Sequence, residues 1–258
     1  MIGFAGVLAL VLAETVAGAL AFTWFGPLWH ETKRSYFTLH TVILTLLFAA
    51  PLWWAAGSGW TTSRGLLAAR SAGLTFAVCG VAALAFLFRR PAAGRVTGIA
   101  ALVASAATLV AMAGAGRQAF VISLFQLVAG AAFIGAAYDG LFLGHWYLTD
   151  RKLTRRPIDR ATTTLLAASI VELAAITTGG FSGTPSSAAF NPLLTAGALA
   201  PWIAVGMDAT TLLIAVVVRA TLKGQRASAV QAATGFYYLA VVTAFTAEIA
   251  VKTRFLPG

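Results

Sequence analysis

Residues 1–20 read MIGFAGVLALVLAETVAGAL, an apolar run containing one ionisable residue, Glu14. A helix of that length crosses a hydrocarbon core about 30 Å thick. No positively charged stretch precedes the run, so the reading is a first membrane helix rather than a cleaved leader.

Similar runs recur along all 258 residues, of which 59% are hydrophobic and only 10% charged. Soluble chains carry about a quarter charged residues. The composition therefore predicts an all-α integral membrane protein, one polytopic domain with a bundle of about eight transmembrane helices. The spans are expected at 2–27, 37–57, 68–88, 96–115, 119–146, 161–180, 196–218 and 230–251. Breakers agree with these divisions: RRPAAGR at 89–95, MAGAGRQ at 112–118 and LKGQRAS at 222–228. The longest charged stretch, TDRKLTRRPIDR at 149–160, is too short for a soluble domain. Between the sixth and seventh spans lies GGFSGTPSSAAFNP, residues 179–192, long and neutral.

The net charge of +10 does not point to nucleic acid, because the basic residues gather at helix ends. Of 18 Lys and Arg, 13 fall in the loops after the first, third, fifth and seventh spans. The positive-inside rule then predicts those loops in the cytoplasm and both termini outside. Arg far exceeds Lys and Ala and Gly abound, which suggests a bacterial inner membrane. A short internal echo, FGPLWHETKR at 25–34 against FLGHWYLTDRK at 142–152, raises the expectation of a two-halves repeat, 1–115 and 119–251, of the parallel kind. Cys79 is the sole cysteine, which excludes an internal disulfide and a multi-cysteine metal site.

The eight acids are the most informative side chains. Glu14, Glu172 and Asp208 fall near the middle of spans one, six and seven, Asp139 two turns from the end of span five, and Glu248 near the end of span eight. An ionised carboxylate at the bilayer centre costs at least about 2.5–3.5 kcal/mol. No Lys or Arg is expected at comparable depth to neutralise the central three. They could be protonated, could face water or a cation, or could be met by a partner subunit; the structural alternative is a neutral acid bonded between helices. As chemistry, Glu14, Glu172 and Asp208 are candidate proton carriers. Helical spacing puts Glu14 on a face with Gly3, Val7, Gly18 and Phe25, Glu172 with Leu165, Ala168 and Ile176, and Asp208 with Ala204 and Thr211.

Only three histidines occur, His30, His40 and His145. His40 and His145 are expected at similar depth on different helices, the arrangement two axial ligands of a haem b would need. His40, His145, Tyr138, Asp139, Trp146 and Tyr147 would equally suit a quinone headgroup, which needs hydrogen-bond donors and a nearby acid. The bland reading makes His145, Trp146 and Tyr147 interfacial anchors.

In layout alone, eight helices with both termini outside, the chain is similar to the NrfD-like membrane anchors of molybdenum and polysulfide-type reductases. That resemblance implies quinone binding without haem, and it rests on architecture rather than on a motif. The leading expectation is an integral subunit of a respiratory or other redox complex, with other protein subunits and the lipid bilayer as partners. A proton- or cation-coupled transporter, with 179–192 as a broken-helix segment, and an assembly subunit are the alternatives.

Overall fold

The computed structural model describes residues 3–25, 28–59, 62–116, 118–150, 153–178, 199–224 and 227–255. They form helices α1 (Gly3–Phe25), α2 (Leu28–Glu31), α3 (Arg34–Ile43), α4 (Ala50–Gly59), α5 (Ser63–Leu87), α6 (Pro91–Ala115), α7 (Phe120–Thr149), α8 (Arg156–Thr177), α9 (Leu199–Leu222) and α10 (Ala227–Lys252). A π-helical stretch, Leu44–Ala49, joins α3 to α4 within one span, and a 3₁₀ turn, Thr253–Phe255, follows α10. No strand occurs among the described residues. Eight helices are long and apolar enough to span a membrane, and the chain is a multi-pass membrane protein. The neutral stretch 179–192 lies outside the described residues.

Several spans begin earlier than their apolar segments suggest. Helices α3, α5, α6 and α8 start at Arg34, Ser63, Pro91 and Arg156. Their first turns carry Arg34, Arg64, Arg95, Arg156 and Arg160, whose long stems let a charge reach the interface from a helical backbone. Prolines 91 and 157 stand in the first turns of α6 and α8, where a missing N–H costs nothing. The π-helical stretch has its own cause in Pro51. That residue cannot donate to the carbonyl four back, and its ring crowds it, so the preceding turn widens.

The helices pack as two closed rings of four. In the first, α1, the α3–α4 span, α5 and α6 each touch the next, and α6 returns to α1; in the second, α7, α8, α9 and α10 do the same. The rings meet chiefly where α1 crosses α7, with flanking contacts of α6 on α7 and of α1 on α10. Exchanging each span with the one four further on maps this contact pattern onto itself. Each ring also carries a threonine pair at the same place, Thr75 with Thr108 at 3.0 Å between α5 and α6, and Thr211 with Thr243 at 2.7 Å between α9 and α10.

The α1–α7 crossing is close because glycines face each other. A Cβ on Gly18 would stand 2.8 Å from the Gly135 Cα and would overlap the Ala131 carbonyl oxygen. Without a hydrophobic driving force between helices in lipid, such small-residue contacts are a main source of association. Leu46, Leu47, Trp54, Leu67, Val103 and Val121 face outward, the apolar exterior that a bilayer requires.

Candidate functional site

Ionisable and polar side chains gather at two depths along α7. The deeper group, towards the end where α1 begins and α10 ends, centres on Lys252. Its Nζ lies 2.6 Å from Glu14 Oε1 and 2.8 Å from Glu248 Oε2, with all three side chains fully buried. This overturns the expectation that no cation would share the depth of the membrane acids. The physical reason is direction. Helical side chains tilt towards the helix N-terminus, so a lysine in the last turn of α10 points back into the bilayer. There it finds Glu248 one turn earlier and Glu14 across the interface. Gly130 of α7 makes room, since a Cβ there would lie 2.6 Å from Glu14 Oε1 and 2.9 Å from Glu248 Oε2.

Glu172 and Asp208 complete this cluster from α8 and α9, both fully buried. Glu172 has Glu248, Lys252, Glu14 and Asp208 as its electrostatic neighbours. The carboxyl oxygens of Glu172 and Asp208 have no hydrogen-bond partner among the described residues. Of the faces read from helical spacing, Val7, Gly18, Leu165, Ala168, Ile176, Ala204 and Thr211 are buried, Gly3 is half-buried, and the Phe25 side chain lies outside the described residues. Arg254 donates from Nη1 to the Ile176 carbonyl at 3.1 Å, capping the otherwise open carbonyl end of α8. Gln126 of α7 donates from Nε2 to the Thr178 carbonyl at 2.7 Å. Among the described residues the cluster therefore holds four carboxyl groups and two cations, Lys252 and Arg254.

The second group lies nine residues further along α7, about 13 Å at the helical rise. Tyr36 of α3 donates its hydroxyl to Asp139 Oδ1 at 3.2 Å. His40, fully buried, stacks on Tyr36 with ring centroids 5.9 Å apart and meets Tyr138 and Phe142 edge-on at 5.6 and 4.9 Å. The Thr23 hydroxyl donates to the Ala19 carbonyl at 2.8 Å, so towards His40 Nε2, at 3.3 Å, it can only accept. In the tautomer with the proton on Nε2, His40 Nδ1 is an open acceptor; neither Nδ1 nor the Tyr138 hydroxyl has a partner among the described residues.

The remaining sequence candidates divide. Trp146 is buried, its ring edge-on to Tyr36 at 5.6 Å, so it belongs to the second group rather than to an outer belt. Tyr147 donates to the Thr154 carbonyl and pins the turn after α7. His145 is exposed, and its Nε2 is engaged by the Tyr238 hydroxyl of α10 at 2.6 Å. The two histidine rings thus have different neighbours, and a haem between them would have to displace both sets. Tyr36 and Lys252 are the residues that sequence reasoning missed. The spacing Glu248–Lys252, four apart on one helix, was the available signal for the lysine. Nothing local marked Tyr36, which is 103 residues from its partner. Among the described residues no group of three or more His, Cys, Asp or Glu side chains is placed to hold a metal ion.

Compared with protein-family models, with curated proteins and with solved structures, the chain matches none.

Proposed function

We propose that this chain is the proton-handling membrane subunit of a redox complex, with a quinone headgroup at the Tyr36–His40–Tyr138–Asp139 group and proton transfer through the carboxyl–lysine cluster. The observation that carries this reading is the cluster itself: four carboxyls against two cations in surroundings that exclude water. A buried carboxylate without a matching charge takes a proton instead, so two protons are shared over Glu14, Glu172, Asp208 and Glu248. A group that holds protons at mid-membrane and is bridged by a lysine is suited to loading and releasing them.

The second group supports the quinone assignment. His40 Nδ1 is an open acceptor for a quinol hydroxyl, and the Tyr138 hydroxyl is an open donor for the carbonyl that forms. Asp139, held by Tyr36, is the acid through which a released proton can leave. The two electrons of a quinol would pass to a neighbouring redox subunit. A bacterial inner membrane with both termini outside fits the basic-loop count. Haem is not part of the proposal, because His40 and His145 have separate settings.

The test is solvent extraction of the purified protein for quinone, with an oxidised-minus-reduced visible spectrum beside it. Quinone in the extract of the native chain, reduced at least about tenfold in His40→Ala and Tyr138→Phe, is the expected result. A b-type haem band lost in His40→Ala, or no quinone at all, would overturn the assignment. Asp139→Asn is expected to slow quinol turnover by about 10²-fold while quinone stays bound, because it removes a proton acceptor and leaves the headgroup contacts. Unchanged turnover would take Asp139 out of the path.

A second reading, a proton-coupled transporter, is favoured by one feature, the buried carboxyls of Glu172 and Asp208, which have no hydrogen-bond partner among the described residues. Substrate-driven proton uptake into vesicles, abolished by Glu172→Gln, would replace the redox reading with this one.

A further inference from the structure

The two rings are finished differently at the end that carries the basic loops. The mouth of the first is plugged by rings: Trp29 on Phe37 at 4.7 Å, Trp24 on Phe37 at 5.5 Å and Phe37 on Phe86 at 6.0 Å, with the Arg95 guanidinium over Trp29. The second ring is filled at that end by the buried Tyr147, Ile158, Val230 and Tyr237, and it carries a cleft on its flank instead. Between α8 and α9 lies a solvent-connected cleft of about 290 Å³, lined by Asp159, Thr162, Thr163, Arg219, Leu222 and Lys223. Its floor is the buried Thr162 hydroxyl, 2.9 Å from that of Tyr237.

Charge in this cleft is only partly matched. Arg219 donates from Nη1 to the Thr163 hydroxyl at 3.0 Å, which leaves most of its five donors available. No ion pair joins Asp159 to Arg219 or Lys223 among the described residues, although all three line the same space. The N-terminal turn of α8 opens beside it, and its field favours an anion. A guanidinium and an ammonium on one concavity match a tetrahedral oxyanion, with the planar arginine fork suited to two of its oxygens. Basic pockets between membrane helices on the positively charged side are where anionic headgroups bind.

We propose that this cleft binds a phosphate group through Arg219 and Lys223, supplied by the diester of an anionic lipid or by a free anion. The site is independent of the quinone reading and needs no redox activity to be observed.

The experiment uses the full chain, delipidated in detergent. It is exposed to phosphatidylglycerol or to phosphatidylcholine and weighed by native mass spectrometry, with the thermal midpoint followed in inorganic phosphate. The expected result is retention of phosphatidylglycerol over phosphatidylcholine, lowered about tenfold in the double variant Arg219→Gln/Lys223→Gln. Asp159→Asn, which removes the competing negative charge, is expected to raise retention, and it serves as the test if the double variant does not fold. A rise in midpoint with inorganic phosphate, lost in the double variant and without lipid selectivity, would assign the site to a free anion. Equal retention of both lipids with no phosphate effect, or anion binding unchanged in both variants, would overturn the proposal.

Discussion

Replacing Lys252 by methionine is expected to destabilise the protein by about 3–5 kcal/mol, read as a large fall in the thermal midpoint of the detergent-solubilised chain. The lysine is fully buried between Glu14 and Glu248. Removing one partner of a buried ionic group leaves the others desolvated and uncompensated, which is far worse than removing the whole group. Restoring neutrality should therefore restore stability. The triple variant Lys252→Met/Glu14→Gln/Glu248→Gln is expected to recover most of the loss, since three neutral side chains of similar volume need no counter-charge. If Lys252→Met unfolds at the native midpoint, the cluster is not an ionic unit.

Gly18→Ala is expected to have the second large effect, a loss of at least about 1–3 kcal/mol from overpacking. The new methyl would press on backbone, the Ala131 carbonyl and the Gly135 Cα, neither of which can rotate away. α1 and α7 would have to separate, and they are the main contact between the rings. Gly80→Ala is the control, because nothing lies within 4 Å of its added methyl. It removes the helical cost of glycine, so its midpoint should stay level or rise slightly. Equal midpoints for the two variants would mean that the glycine crossing does not hold the rings together.

The fold was legible because the bilayer imposes a length and a polarity that eight segments of this chain satisfy one after another. The span ends were not, since Arg34, Arg64 and Arg156 look like loop residues by charge and are helical by reach. The closed rings could not be read from hydropathy at all. Which spans touch depends on side chains such as Thr75 and Thr108, ordinary residues until they meet. In the cluster, Glu14, Glu172 and Asp208 stood out because burying a carboxyl in lipid is costly whatever surrounds it. Lys252 did not, because it sits at a span end where a lysine normally faces the headgroups, and the direction of its side chain appears only once α10 is built. His40 and His145 looked equivalent by depth, yet His40 faces inward from α3, whereas His145 sits on the outer side of α7 and is engaged by Tyr238 at the surface.

The central claim, that the cluster holds exchangeable protons, is tested most directly by infrared spectroscopy of the reconstituted protein at neutral pH. The account predicts a protonated-carboxyl C=O band that shifts in D₂O and loses intensity in Glu172→Gln and Asp208→Asn. Absence of that band, or a band unmoved by prolonged D₂O exchange and unaffected by both substitutions, would contradict it.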